Sequence, residues 1–103
     1  MAGNTYTYIG CFKDEDDRAI IGSPKTVTGD DRVQDCFEWA KSLGNTVFAV
    51  QSGSQCFTSS TAADTYDKYG LSTECDETAG GEQTGGGWAN AVYQIGIGSF
   101  SDV

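Results

Sequence analysis

Four cysteines constrain this chain more than any other feature. Cys11, Cys36, Cys56 and Cys75 are separated by 24, 19 and 18 residues, no two form a Cys-x-x-Cys pair, and the 103 residues include no histidine. Structural zinc sites draw their ligands in close pairs, so this spacing argues against a metal centre and for two disulfides formed in an oxidising compartment. Four reduced thiols buried in a cytosolic core are the alternative reading of the same residues. Bridges closing loops of tens of residues would each stabilise the fold by on the order of 3 to 4 kcal/mol in the chain-entropy model. A chain of this length supports one core. The sequence reads as a single module, with its core over about residues 6–95 and a C-terminal tail over 96–103.

Charge narrows the partners. Fifteen acidic residues against six basic ones give a formal net charge of −9, which repels polyphosphates and anionic membrane surfaces and so excludes nucleic acid as a partner. No apolar run approaches the eighteen or so residues needed to cross a bilayer, so membrane insertion is not expected. The start, Met-Ala-Gly-Asn-Thr-Tyr, lacks the basic and apolar regions of a signal peptide, so a secreted form would carry this sequence after its signal had been removed.

One segment has the pattern of an amphipathic helix. Between Asp31 and Leu43, Val33, Cys36, Phe37, Ala40 and Leu43 recur at three- and four-residue spacing, which predicts a helix buried on one face. Asp31 is a natural N-cap, Gln34 completes a capping-box pattern, and Gly44 supplies a left-handed stop. Cys36 lies in the buried stripe and therefore points at whatever the helix covers. Strands are expected at Thr5–Ile9, Thr46–Gln51, Gln55–Thr58 and Ala91–Ile97, the middle two joined as a hairpin through Ser52-Gly53-Ser54. Ser59–Thr65 and Thr78–Gly87 have the composition of surface loops. The expected fold class is therefore α+β, a small antiparallel β-sheet packed by one α-helix over about residues 31–43 and stapled by two disulfides. Cys36 faces inward from the helix and Cys56 follows the hairpin beneath it, which predicts a Cys36–Cys56 bridge and leaves Cys11 for Cys75.

These residues resemble a known family. Tyr8-Ile-Gly-Cys-Phe-Lys-Asp with Asp17-Arg18-Ala19 after it, Cys36 on a helix, Val47-Phe48-Ala49-Val50-Gln51 leading through glycine to Cys56, and the closing Gly86-Gly87-Trp88-Ala89-Asn90-Ala91-Val92-Tyr93 are similar to WSC-type domains and the related WSC-like repeats. The likeness runs from about Tyr6 to Ile95. Such domains typically carry eight cysteines, including a Cys-x-Cys-Gly element; here Cys56 is followed by Phe-Thr-Ser and the terminal Cys-Gly-Gly is replaced by Gly-Gly-Gly-Trp, so this is a four-cysteine variant. The resemblance implies a PAN-like fold, secretion or cell-surface exposure, and a carbohydrate-binding or adhesive role.

Carbohydrate sites combine an exposed aromatic face with carboxylate and amide groups, and Trp88, Tyr66, Tyr69, Asn90 and Asp67 are the residues that could supply them. Trp88 follows three glycines, so its ring is either presented from a loop or folded back into the core. Trp39, beside Cys36 and Leu43 on the helix, is expected to be partly buried against the sheet. The run Asp14-Glu15-Asp16-Asp17 offers Asp14, Asp16 and Asp17 as calcium ligands, although it lacks the spacing and glycine of an EF-hand; a solvated acidic loop with one carboxylate paired to Arg18 is the alternative. With no histidine, no Gly-x-Ser-x-Gly turn and no cofactor motif, no nucleophile has an identifiable base, and the chain reads as non-catalytic. Two functions fit: a lectin-like module binding glycans or other extracellular proteins, and a structural protein that self-associates into a matrix or filament. The second reading rests on the alternation Ile95-Gly-Ile97-Gly-Ser-Phe100, which could pair with a sheet edge of a neighbouring copy. Thr58–Thr61 could carry O-glycans.

Overall fold

The computed structural model describes residues 5–96. Seven strands and two helices follow in the order β1 (Tyr6–Lys13), β2 (Lys25–Thr26), α1 (Arg32–Ser42), β3 (Val47–Gln51), β4 (Gln55–Thr58), α2 (Ala62–Thr65), β5 (Glu77–Ala79), β6 (Glu82–Gly85) and β7 (Ala89–Ile95). Five strands form one sheet in the order β1-β7-β3-β4-β2, every pair antiparallel, and β5 and β6 form a separate hairpin. The expected α+β class, with one principal helix over an antiparallel sheet, is the class observed.

The centre of the sheet is buried on both faces, and β3 shows how. Its side chains alternate, with Phe48 and Val50 joining the cluster of Val33, Cys36, Phe37 and Ala40 on α1, while Val47 and Ala49 join Phe12, Ile20, Phe57, Ala62 and Val92 on the opposite side. Period-two alternation sends neighbours to opposite faces, so a strand covered on both sides reads as a continuous apolar run. Helix α1 covers the first face. The second is covered by the segments around Ile20 and Ala62, which have little regular structure. Tyr6 is partly buried at the edge of the helix-side core, its ring within 5.0 to 5.7 Å of those of Phe37, Phe48 and Tyr93.

Both disulfides pair as expected. Cys36–Cys56 links α1 to β4, and Cys11–Cys75 ties β1 to the segment before β5. The helix ends as its sequence dictates. Gly44 takes φ +77°, its N–H donates to the Lys41 carbonyl at 3.0 Å, and the Asn45 N–H reaches back to Ala40 at 3.0 Å, the paired bonds of a Schellman stop.

The other end differs from the capping-box expectation. Asp31 occupies the N-cap without a side-chain capping bond, and the Gln34 amide donates instead to Glu38 at 2.8 Å. Arg32 anchors this end by donating to the carbonyls of Gly29 at 2.7 Å and Gly53 at 2.6 Å. Leu43, expected in the buried stripe, is 55% exposed; it is the C-cap residue, one position past the last helical residue Ser42.

The segments read as loops hold more structure than their composition suggests. Ser59–Thr65 contains α2, and Thr78–Gly87 contains most of the β5–β6 hairpin, closed by Gly80 and Gly81 at φ +60° and +83°. Two successive positive φ values define the hairpin-favouring turn that glycine pairs adopt. Tertiary bonds hold this hairpin: the Tyr93 hydroxyl donates to Gln83 at 2.7 Å, the Tyr6 hydroxyl to Glu82 at 2.6 Å, and the Gly53 N–H to Thr84 at 3.0 Å. Strand β7 begins at Ala89, two residues before the expected start; its expected end at Ile97 lies outside the described residues, as does the tail beyond Gly96 on which the self-association reading rests.

Two stability predictions follow from this packing. Phe37 is 2% exposed, so Phe37→Ala is expected to lower the unfolding free energy by about 3 to 5 kcal/mol in chemical denaturation; a loss under about 1 kcal/mol would contradict the assignment of the helix face. The hydroxyls of Tyr6 and Tyr93 are both pushed up in pKa, first by burial and then by the Glu82 carboxylate beside them. A group whose folded pKa is raised contributes stability that is intact below its unfolded value, about 10 for tyrosine, and is lost as pH rises toward the folded value. The thermal midpoint should therefore hold up to about pH 9 and fall above about pH 10, with a shallower fall in Tyr6→Phe.

Candidate functional site

The turn that carries Trp88 is built from backbone contacts no side chain could share. A Cβ on Gly85 would stand 2.4 Å from the Val50 carbonyl oxygen, and one on Gly86 would stand 1.9 Å from that of Glu74. Gly86 and Ala89 exchange N–H···O bonds at 3.1 Å in both directions, leaving Gly87 and Trp88 as the two central residues of a tight turn. Trp88 has φ +56°, a left-handed conformation that costs an L-residue roughly 1 to 2 kcal/mol. Trp88 is nonetheless 48% exposed. A large apolar ring held at the surface by a strained backbone is a feature that core packing does not explain.

Arg18 supports that ring. Its guanidinium carbon lies 4.8 Å from the Trp88 ring centroid and 5.2 Å from that of Phe57, so the cation bridges the displayed indole and the core beneath it. Arg18 is held in turn by Asp14, whose Oδ2 accepts from Nη1 at 2.7 Å. The Asp14 carboxylate is buried, with Oδ1 accepting from the backbone N–H groups of Glu15 at 3.0 Å and Ala19 at 2.9 Å. The Asp14 N–H donates to the Trp88 carbonyl at 2.9 Å. One buried carboxylate thus fixes the acidic loop, the arginine and the tryptophan turn together. Asp14, Glu15, Asp16 and Trp88 line an open depression of about 380 Å³ there.

The 66–70 segment borders the same loop. The Lys13 N–H donates to the Gly70 carbonyl at 2.9 Å, the Tyr69 hydroxyl donates to the Asp17 carbonyl, and the Lys68 ammonium lies 3.3 Å from the Asp17 carboxylate, which raises the lysine pKa. Asp67 is exposed. Tyr66 is partly buried, its ring packed edge-on against Phe12 at 5.1 Å, so it supports this segment. Of the candidate sugar-binding residues, Trp88, Asp67 and Tyr69 therefore sit on segments tied to the acidic loop.

Asn90 does not. It is 1% exposed within β7, paired with Gln51 and Phe12 on the neighbouring strands, because both faces of the sheet are covered at that position. The calcium expectation also changes. Asp14 spends its oxygens on Arg18 and two backbone N–H groups, Asp17 faces Lys68, and no metal-holding group of three or more acidic or cysteine side chains occurs among the described residues. Glu15, which sequence reasoning did not single out, lines the depression; its place in the acidic run next to Asp14 was the available signal.

Removing Arg18 separates structure from display. Arg18→Ala leaves the Asp14 carboxylate buried without its cation, and with Arg18 itself partly solvated the expected cost is about 2 to 3 kcal/mol in denaturant titration. An unchanged midpoint would show that the Asp14–Arg18 pair does not anchor the loop.

The WSC domain family model matches residues 8–87, and no curated protein matches the chain. The matched span holds all four cysteines, α1 and the acidic loop, and stops one residue before Trp88. WSC domains are extracellular modules of carbohydrate-binding type, and two disulfides fit that compartment. No helix among the described residues is long and apolar enough to cross a membrane. With the family match spanning most of its length, this chain belongs to the WSC domain family.

Proposed function

We propose that this protein is a non-catalytic extracellular module that binds carbohydrate through Trp88. The carrying observation is the half-exposed indole in a left-handed turn, one face against Arg18 and carboxylates beside it. A pyranose offers an apolar C–H face that stacks on an indole and a rim of hydroxyls that donate to carboxylates, the two chemistries set side by side in this depression. The net charge of −9 favours neutral chains over sulfated or uronic ones. Catalysis is a poor fit to the same geometry. Glycosidases set two carboxyls across the scissile bond, whereas here Asp14 is buried and ion-paired to Arg18 and the depression is open.

Trp88→Ala should abolish retention on immobilised cellulose, chitin or β-1,3-glucan while leaving the thermal midpoint nearly unchanged. Trp88→Gly sharpens the test, because it removes the ring and also relieves the left-handed strain. That variant should be at least as stable as the alanine variant and equally unable to bind. Full retention of both variants on every polysaccharide that holds the wild-type protein would overturn the assignment.

A further inference from the structure

The protein's other tryptophan stands in a second groove, on the opposite side of the sheet. Trp39 packs against the helix-side core, whereas Trp88 stacks on Arg18, whose guanidinium stands over Phe57 in the core of the other face. On α1, Asp35, Glu38 and Trp39 are three and four residues apart and share one surface. Across from them lie Lys25, Thr26 and Thr28, and together these residues line an open groove of about 390 Å³. Its size falls within the range of ligand pockets. Its two walls are cross-linked, since Cys36 of α1 is bonded to Cys56 of β4, which pairs directly with Lys25 of β2.

The lining selects among occupants. Two carboxylates in a strongly acidic protein disfavour phosphate and sulfate. The edge strand β2 is only two residues long, too short to capture an extended peptide by strand addition. No metal-holding group of three or more acidic or cysteine side chains occurs among the described residues. What remains is an indole wall next to threonine hydroxyls, carboxylates that accept and an ammonium that donates. That combination matches a ring with an apolar face and a hydroxyl rim. We propose that the groove beside Trp39 is a second carbohydrate-binding site for neutral glycan chains, so that the module engages saccharide from both sides of its sheet. The proposal extends the Trp88 reading in ligand class but rests on a separate set of residues.

Because the chain contains only Trp39 and Trp88, a ¹⁵N-labelled sample gives two indole N–H signals, assigned by Trp39→Phe and Trp88→Phe. Titration with cellohexaose, chitohexaose and laminarihexaose should move both signals with at least one of the three sugars, and the Trp39 signal should move along the same curve in Trp88→Phe. Movement of the Trp88 signal alone would overturn the second site and leave the first intact. Movement of the Trp39 signal alone would support the groove and refute the Trp88 reading. If neither signal responds to any of the three sugars, both assignments fail. As a second readout, wild-type protein should cross-link soluble β-glucan into a turbid suspension, and Trp39→Phe and Trp88→Phe should each lose at least tenfold of that turbidity, the avidity expected from joining two sites; undiminished turbidity in Trp39→Phe would also overturn the groove.

Discussion

A five-stranded sheet has two faces to hide, and this chain has one long helix with which to hide them. That constraint shapes everything else in the molecule. The helix seals one face with Val33, Cys36, Phe37 and Ala40, and the Cys36–Cys56 bridge locks it down. The other face is closed by chain with little regular structure that contributes few apolar side chains, Ile20 and Ala62 among them. Such chain buries too little surface to order itself by packing alone. It is tied instead by polar bonds: Asp14 to its own loop, Thr65 to the Ala19 carbonyl at 2.5 Å, Tyr69 to the Asp17 carbonyl, and Cys11 to Cys75. The candidate site at Trp88 stands where these ties converge, on the less regular side of the sheet.

What the sequence disclosed follows the same division. Where packing is periodic, the signal was legible: Val33, Cys36, Phe37 and Ala40 at helical spacing, the glycine stop at Gly44, the hairpin through Ser52-Gly53, and both disulfides. Where tertiary bonds decide, local pattern was silent. The β5–β6 hairpin has no apolar alternation because hydroxyls and backbone groups hold it, and only its Gly80-Gly81 turn marked it. Asp31 holds the N-cap position without a side-chain bond, and the Arg32 guanidinium ties this end of the helix to the Gly53 carbonyl across the fold, a contact no local pattern signals. Asn90 looked like a surface amide but lies on a strand covered from both sides. Trp88 was legible as a candidate, while the choice between display and burial depended on Arg18, seventy residues earlier in the chain.

The display of Trp88 also fixes the terms on which a ligand would meet it. Its backbone is held by the Gly86–Ala89 bonds and its ring rests on a guanidinium that is itself bonded to a buried carboxylate. Little rotamer freedom is left to lose on contact, and ordering costs that commonly erode weak binding are already met in the free protein. The strain at φ +56° is the counterpart of that order. The groove beside Trp39 reaches a similar rigidity by a different route, through a covalent link between its walls.

The margins of the sheet carry a further consequence. Exposed strand edges invite pairing with other chains, and proteins blunt them with bulges, short strands or covering loops. At one margin β2 is two residues long. At the other, β1 shifts register between Tyr8 and Gly10, and its last residues are capped by the bonds from Lys13 to Gly70 and from Ser72 to Cys11. Cys11–Cys75 holds that cap in place. The same bridge that closes the fold therefore also guards it against sticking to its neighbours.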